Sequence, residues 1–344
     1  MKKLPIILFG GNTKQQDGPL LTAAQLARKK NCKVTIITDK THLNLPTKDG
    51  STLQEKLKSS GFEWHCFKKL EMAKLKKIHT HDSIGFSLNS PWIFKKNMIN
   101  FFNGKLYNYH DAPLPKSRGA ATYTWAILLR ERRWGLTIHK ISESIDVGNI
   151  VKQKLFNFPV TCKIPIDYLN YKSKFEKKFF AQFLDDLISN THFKTIKQKQ
   201  SSSTYWPRLV TPINGFINWN WNVDDIELFI RAFDDPHQGA STFLDGKKIR
   251  LKKCMKNKGG LKCHPFQSGL IYKIENGKIF VATSNSSIII DEVYNLKNKK
   301  INSAIKVGHR FYTPTKFLDH ALSTRANYKI IESTEAKTRS LKKT

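Results

Sequence analysis

Residues 4–38, LPIILFGGNTKQQDGPLLTAAQLARKKNCKVTIIT, decide the fold. Leu4 to Phe9 is an unbroken apolar run that stops at Gly10-Gly11. Pro19 to Lys29 repeats Leu20, Leu21, Ala24, Leu26 and Ala27 at helical spacing, and Lys33 to Thr38 is rich in β-branched residues. An apolar run without alternation fits a strand covered on both faces. Strand, helix and strand in so short a stretch imply a right-handed crossover between parallel strands. The alternation continues with a helix near Thr52 to Ser59 and strands at Glu63 to Cys66 and Ser83 to Leu88. A helix from Pro91 to Phe102 follows, then a strand at Lys105 to Tyr109, a helix over Ala120 to Arg130, and strands at Leu136 to Ile141 and Ile150 to Phe156. This predicts an α/β fold with an open, mostly parallel Rossmann-like sheet covered by helices on both faces, with ligands beyond the carboxyl ends of its strands. The first turn, Gly10-Gly11-Asn12, is not Gly-x-Gly-x-x-Gly, so a dinucleotide fingerprint is absent.

Asp167 to Asn190 carries Leu169, Phe175, Phe179, Phe180, Phe183, Leu184, Leu187 and Ile188 at a period near 3.6, which predicts one long helix with a packed aromatic face. Residues 1–190 therefore read as a first domain and 191–216, polar and holding Ser201-Ser202-Ser203, Pro207 and Pro212, as a linker anchored by Tyr205 and Trp206. A helix near Val223 to Phe233 follows. Short β-like runs come next, at Ala240 to Leu244, Lys248 to Lys252, Gly269 to Ile274, Lys278 to Thr283 and Ser287 to Asp291, with Asp245-Gly246 and Asn276-Gly277 as hairpin turns. Short strands at regular spacing predict a small barrel over 217–332. Residues 333–344 are basic with little to bury, and are expected to be disordered.

The 344 residues carry 59 Lys and Arg against 27 Asp and Glu, a net charge of +32, which makes polyanionic partners plausible without specifying one. Cys32, Cys66, Cys162, Cys254 and Cys263 are scattered and odd in number, which argues against a disulfide scaffold or a zinc knuckle and makes a reducing cytoplasm the default setting. The apolar run at the amino end has strand length and not export length, and no stretch reaches the roughly 20 apolar residues that cross a bilayer.

The segment richest in chemistry is Gly104 to Ile127, GKLYNYHDAPLPKSRGAATYTWAI. A strand ending at Asn108, Tyr109 and His110 places Asn108 and His110 on one side, and a later strand runs into Ser144-Ile145-Asp146-Val147-Gly148. An amide can stabilise an oxyanion and an imidazole can carry a proton. A carboxylate can hold the imidazole's charge or accept a proton from an attacking amine.

Asn108-x-His110, the Pro113-Leu114-Pro115 loop, Arg118-Gly119-Ala120-Ala121, Trp125-Ala126-Ile127 and Asp146-x-Gly148 together resemble the signature of the formyltransferases that use 10-formyltetrahydrofolate. Ile217 to Leu251 resembles the start of the oligonucleotide-fold-like (OB-like) barrel of methionyl-tRNA formyltransferases. The resemblance covers about residues 80 to 253 and implies a formyltransferase fold followed by that barrel. It implies Asn108, His110 and Asp146 as the catalytic three, with the oxyanion met by Asn108 and a His110 N–H. Asp146 would remove the amine proton, a task suited to a raised pKa. It implies a folate pocket at Leu88, Ser90, Pro91, Ala112, Pro113, Leu114, Pro115 and Ile141, with no metal. Ala112-Pro113-Leu114-Pro115 departs from the usual Ser-Leu-Leu-Pro, Asp146-Val147-Gly148-Asn149 from Asp-Thr-Gly-Asp, and the opening turn lacks Gly-Thr-Pro.

For the acceptor the resemblance points first to methionyl-tRNA, held through Arg118, Lys248 and Arg250 within the basic hairpin Lys247 to Lys258. The other acceptor is an amino group on a nucleotide-linked sugar, since amino-sugar formyltransferases share the catalytic segment. Pro91-Trp92-Ile93-Phe94 and Ser203 to Leu209 resemble formyltransferase-like proteins of unassigned substrate more than the housekeeping transfer-RNA enzymes. A non-enzymatic RNA-binding role is opposed by retention of all three side chains.

Overall fold

The computed structural model describes residues 3–11, 18–47, 49–80, 82–189, 193–259, 261–328 and 339–343. Its first half runs β1 (Pro5–Gly10), α1 (Pro19–Lys29), β2 (Lys33–Thr38), α2 (Lys40–Leu43), α3 (Leu53–Ser60), β3 (Glu63–Cys66), α4 (Met72–Ile78), β4 (Ile84–Leu88), α5 (Lys96–Phe101), β5 (Leu106–His110), β6 (Arg118–Gly119), α6 (Thr122–Leu128), β7 (Arg133–Lys140), β8 (Ile150–Asn157) and α7 (Pro165–Ile188). Seven of these strands form one sheet in the order β3-β2-β1-β4-β5-β7-β8. β3 to β5 run parallel, whereas β7 and β8 are antiparallel additions at one edge.

The sheet is thus mostly parallel, as expected, with an antiparallel edge. α6 does not lie back across the sheet as a crossover helix but packs on a helix of the second half, and the chain re-enters the sheet from the opposite end. β1 shows why its run is apolar throughout. Ile6 and Leu8 bury against α1 and α7 on one face, while Ile7 and Phe9 bury with Phe94, Met98 and Phe102 on the other. The aromatic stripe of α7 is core, as expected. Phe180 and Phe183 are fully buried against Phe86, and each contributes about 1.5–3 kcal/mol. The helix expected from Pro91 begins only at Lys96. Trp92 and Phe94 are both buried two residues apart, a spacing that extended chain can bury on one side and a helix cannot.

The second half runs β9 (Tyr205–Trp206), α8 (Thr211–Asn214), α9 (Val223–Ala232), β10 (Ala240–Leu244), β11 (Lys247–Lys256), β12 (Ile271–Glu275), β13 (Lys278–Ala282), β14 (Ser287–Tyr294), β15 (Phe311–Tyr312), α10 (Thr315–Ser323), β16 (Thr324–Tyr328) and β17 (Arg339–Lys343). Six strands form an antiparallel sheet in the order β12-β13-β14-β11-β10-β15. Phe311 N donates to Gly269 O at 2.8 Å and Ile271 N to His309 O at 2.8 Å, so the chain beside the first and last strands meets. The halves share apolar packing, since one cluster runs from Tyr123, Ala126 and Ile127 of α6 through Ile226 and Ile230 of α9 into the second sheet. β17 pairs antiparallel with β16, which corrects the expectation of disorder for 339–343. A backbone ladder needs no apolar side chains to form. Residues 333–338 and 344 lie outside the described residues, as do Asn12, Thr13 and Lys14 of the opening turn.

Candidate active site

The antiparallel register of β5 and β7 sets Asn108 directly opposite His139 and His110 opposite Thr137. Opposed residues share a face of the sheet and stand within side-chain reach. Asn108 and His110 take this face, as alternation predicts, and Tyr109 takes the other, where its hydroxyl donates to Glu176 of α7 at 2.6 Å.

Asp146 enters from the turn after β7. Its Oδ2 lies 3.8 Å from His110 Nδ1 and accepts from Gly119 N at 3.0 Å, and its Oδ1 lies 3.4 Å from His139 Nε2. His139 Nε2 in turn lies 3.1 Å from Asn108 Nδ2. The far nitrogen of each ring faces a backbone carbonyl: His110 Nε2 meets Ser117 O at 2.6 Å and His139 Nδ1 meets Lys140 O at 2.8 Å. A carbonyl only accepts, so both far nitrogens carry hydrogen and donate. The nitrogens facing inward are the ones that gain or lose a proton. Side-chain exposure is 10% for Asp146, 8% for His110 and 3% for His139, so bulk water screens none of these contacts well.

Burial pushes the Asp146 carboxyl upward, but the His110 ring first, then the His139 ring and the Gly119 N–H, outweigh it and hold the group well below the usual carboxylate range. This corrects the expectation of a raised pKa. A carboxylate so stabilised is a poor proton acceptor and a good counter-charge. The His110 Nε2 hydrogen is committed to Ser117, so an N–H that His110 offers an oxyanion would be on Nδ1.

Two glycines explain parts of the motif. A Cβ on Gly148 would sit 1.8 Å from Lys140 O. Gly119 has φ +101°, and its Cβ would sit 2.1 Å from Trp206 O while its N–H holds Asp146. Gly119→Ala is expected to cost about 2–4 kcal/mol of stability through strain and collision. A urea midpoint unchanged from wild type would contradict that.

The segment expected to be a linker is built into this site. β9 pairs in parallel with β6, and Trp206 stacks on Trp125 with ring centroids 5.0 Å apart, while Tyr205 is half exposed. Gln198 donates to Asp146 O at 2.8 Å and to Gly148 O at 2.7 Å, fixing the turn that carries the carboxylate. Its Oε1 accepts from Arg118 Nε at 3.0 Å and Nη2 at 2.9 Å, and Gln200 Oε1 takes Nη1 at 2.9 Å. Arg118 is buried and its three nitrogens each donate to Gln198 or Gln200, which opposes its assignment to an acceptor.

The pocket residues divide. Leu88, Ala112, Pro113 and Leu114 are buried. Thr137 Oγ1 donates to Ala112 O at 2.8 Å, and Gln153 Nε2 donates to Leu114 O at 2.9 Å, pinning this loop to β7 and β8. Ser90, Pro91, Pro115 and Ile141 keep partial exposure.

The cations of the basic hairpin divide as well. Arg250 is buried, with Nη2 donating to Asn295 O at 2.7 Å and Asn298 Oδ1 at 2.9 Å. Lys248 lies over the Phe216 ring at 4.3 Å and donates to Pro212 O, and burial lowers its pKa. Lys252 pairs with Asp235, Lys253 with Glu292 and Lys256 with Asp224. Lys247 and Lys258 are exposed.

His139 and Gln198 escaped the sequence reading. The one available signal for His139 was Thr137 and His139 alternating with Leu136 and Ile138 in an apolar strand. Among the described residues no group of His, Cys, Asp and Glu has the makings of a metal site. No helix among them is long and apolar enough to cross a membrane.

A carboxylate between two imidazoles, with an amide at hand, at the strand ends of a doubly wound sheet has the parts of a group-transfer site. Residues 91–174 match the profile described as Formyl transferase, and residues 209–307 the one described as Formyl transferase, C-terminal domain. A methionyl-tRNA formyltransferase of Pseudothermotoga lettingae is 30% identical over 220 residues, covering 64% of this chain and 70% of that protein. Among solved structures, the sugar 3N-formyl transferase WlaRD, in the presence of dTDP and 5-N-formyl-THF, aligns with a TM-score of 0.65 at 21% identity over 88% of this chain and 99% of that one. The N-formyltransferase of Helicobacter canadensis, in complex with folinic acid and dTDP-3-aminofucose, aligns with a TM-score of 0.63 at 22% identity over 83% and 98%. The chain belongs to the formyl transferase family and is an enzyme that transfers formyl groups.

Proposed function

We propose that 10-formyltetrahydrofolate is the donor, that Asn108, His110 and Asp146 carry out the transfer, and that the acceptor is the amino group of a nucleotide-linked sugar. The convergence of the three side chains, joined through His139, supports the catalytic reading. An acceptor amine attacks the formyl carbon and a new C–N bond forms. The Asn108 amide N–H meets the tetrahedral oxyanion. His110 takes the amine proton on Nδ1, its open nitrogen, and Asp146 supplies the opposing charge. As the bond from carbon to the folate N10 breaks, His110 returns that proton to N10, leaving tetrahydrofolate and a formamide. Ser90, Pro91, Pro115 and Ile141, with the backbone of Leu88 and 112–114, are proposed to hold the folate.

Residues 1–190 read as the catalytic domain, 191–216 as a connection and 217–332 as an OB-like barrel. The bonds between Phe311 and Gly269 and between Ile271 and His309 support a closed barrel.

One observation carries the acceptor reading: within the hairpin Arg250 is buried on Asn295, Lys248 sits over the Phe216 ring, and Lys252, Lys253 and Lys256 each have a carboxylate partner in Asp235, Glu292 and Asp224, while Arg118 is buried. An RNA platform draws on such cations for phosphates, and here internal carboxylates compete for three of them while Lys247 and Lys258 stay exposed. The methionyl-tRNA reading is favoured by the relative at 30% identity and by the net charge of +32. Incubation with labelled 10-formyltetrahydrofolate and either nucleoside-diphosphate amino sugars or methionyl-tRNA separates the two. Label is expected in the sugar amine, and Lys248→Ala should leave the Michaelis constant for that acceptor within about twofold. Label in methionyl-tRNA, with a salt slope that Lys248→Ala flattens, would reverse the assignment.

A further inference from the structure

The pairing of β5 with β7 leaves one ring, His139, against both an amide and a carboxylate of this site with no task assigned to it. We propose that His139 is a positioning residue that fixes the direction of the Asn108 amide, and with it the N–H offered to the formyl oxygen. The proposal deepens, and rests on, the reading of Asn108 as the oxyanion donor.

His139 Nδ1 lies 2.8 Å from the Lys140 carbonyl and so bears hydrogen. In the neutral ring Nε2 is then a lone pair. A lone pair 3.1 Å from the Asn108 side chain is satisfied by the NH2 end of the amide and repelled by the oxygen end. One Nδ2 hydrogen is used in this way and the other is left for the substrate. It is the only side-chain hydrogen bond that Asn108 makes among the described residues. The terminal torsion of asparagine is broad, and without the ring nothing else on the sheet stops the amide from turning its oxygen toward a developing negative charge. The ring itself is immobilised. Its side chain is 3% exposed and is held by the Nδ1 hydrogen bond to the Lys140 carbonyl, while Asp146 Oδ1, 3.4 Å from Nε2, stands farther away than the Asn108 amide. A residue of this kind acts on the chemical step while leaving donor binding alone, because the amide direction matters only when charge builds on the formyl oxygen.

Nitrogen-15 spectra of histidine-labelled protein read the ring directly and need no substrate. Neutral-pH spectra are expected to show one protonated and one bare ring nitrogen for His139, assigned by loss of the signals in His139→Gln. The bare-nitrogen signal should move in Asn108→Ala. Hydrogen on Nε2 alone, or on both nitrogens at neutral pH, overturns the proposal. Kinetics form the second arm, with 10-formyltetrahydrofolate and whichever of the two acceptors is turned over. His139→Leu is expected to lower kcat on the order of 10- to 100-fold, less than or equal to loss of an oxyanion donor, with the donor KM within about twofold. His139→Gln, whose Oε1 can accept from Nδ2, should recover most of that loss. In an Asn108→Ala background His139→Leu should cost nothing further. Equal losses in the Leu and Gln variants, or additive loss in the double variant, also overturn the proposal. If neither acceptor is formylated, the acceptor reading fails while the ring spectra still decide this one.

Discussion

Asp146→Asn is expected to lower turnover by about 10³- to 10⁴-fold, the size of effect seen when a carboxylate that orients and balances a catalytic imidazole becomes an amide. The fold should survive. The Asn oxygen can still accept from Gly119 N, and asparagine tolerates the left-handed φ of +55° at this position. What disappears is the charge opposite His110 Nδ1, 3.8 Å away, at the moment that ring takes up the amine proton. Single-turnover formyl transfer with matched circular dichroism measures this, and an Asn variant within tenfold of wild type would remove Asp146 from the mechanism. The same carboxylate makes a stability signature. Its folded pKa lies below the ordinary value near 4, so its charged form stabilises the fold fully above that pH and loses the contribution as pH falls through the lower folded value. The gap in urea midpoint between wild type and Asp146→Asn should therefore be widest at neutral pH and narrow at strongly acid pH. A gap that widens on acidification would mean the carboxyl is not held in its charged form.

Asn108→Ala is expected to cost about 10²- to 10³-fold in kcat, the usual effect of deleting one oxyanion donor. The folate donor should bind nearly as before, because ground-state formyl oxygen gains little from that amide. Binding of folinic acid, followed by fluorescence or calorimetry, separates the two effects. A variant that loses donor binding in proportion to kcat would make Asn108 a binding residue only. The His110 Nε2 hydrogen is tied to Ser117 and does not compensate.

Much of this arrangement is legible in the chain as written. The apolar run of β1, the bounds of α1, β2, β3 and β10, and the two hairpin turns follow from local periodicity and turn chemistry. The long aromatic helix was readable for the same reason, since its period is set within one element. What escaped depends on partners far apart in sequence. No local pattern says that β7 runs antiparallel to β5, and it is that register which brings His139 to Asn108. Arg118 reads as a free cation until Gln198 and Gln200, some 80 residues later, are seen to occupy it. Lys252, Lys253 and Lys256 look like a basic platform for a similar reason, because their carboxylate partners lie on other elements. The direction of the Asp146 pKa was misjudged because burial alone was legible, while the two imidazoles that outweigh it meet only in the folded chain.

The pairing of β9 with β6 bears on where this enzyme can be cut. A fragment ending after α7, the boundary suggested by composition, would leave Arg118 without Gln198, Asp146 and Gly148 without the amide that ties their carbonyls, and Trp125 without its stacking neighbour. It would also expose the side of α6 that α9 covers. Any exchange of the carboxyl-terminal module therefore has a physical seam, which lies beyond Trp206 and not before it. Recombinants joined upstream of that point would inherit a loosened catalytic turn whatever module they gained.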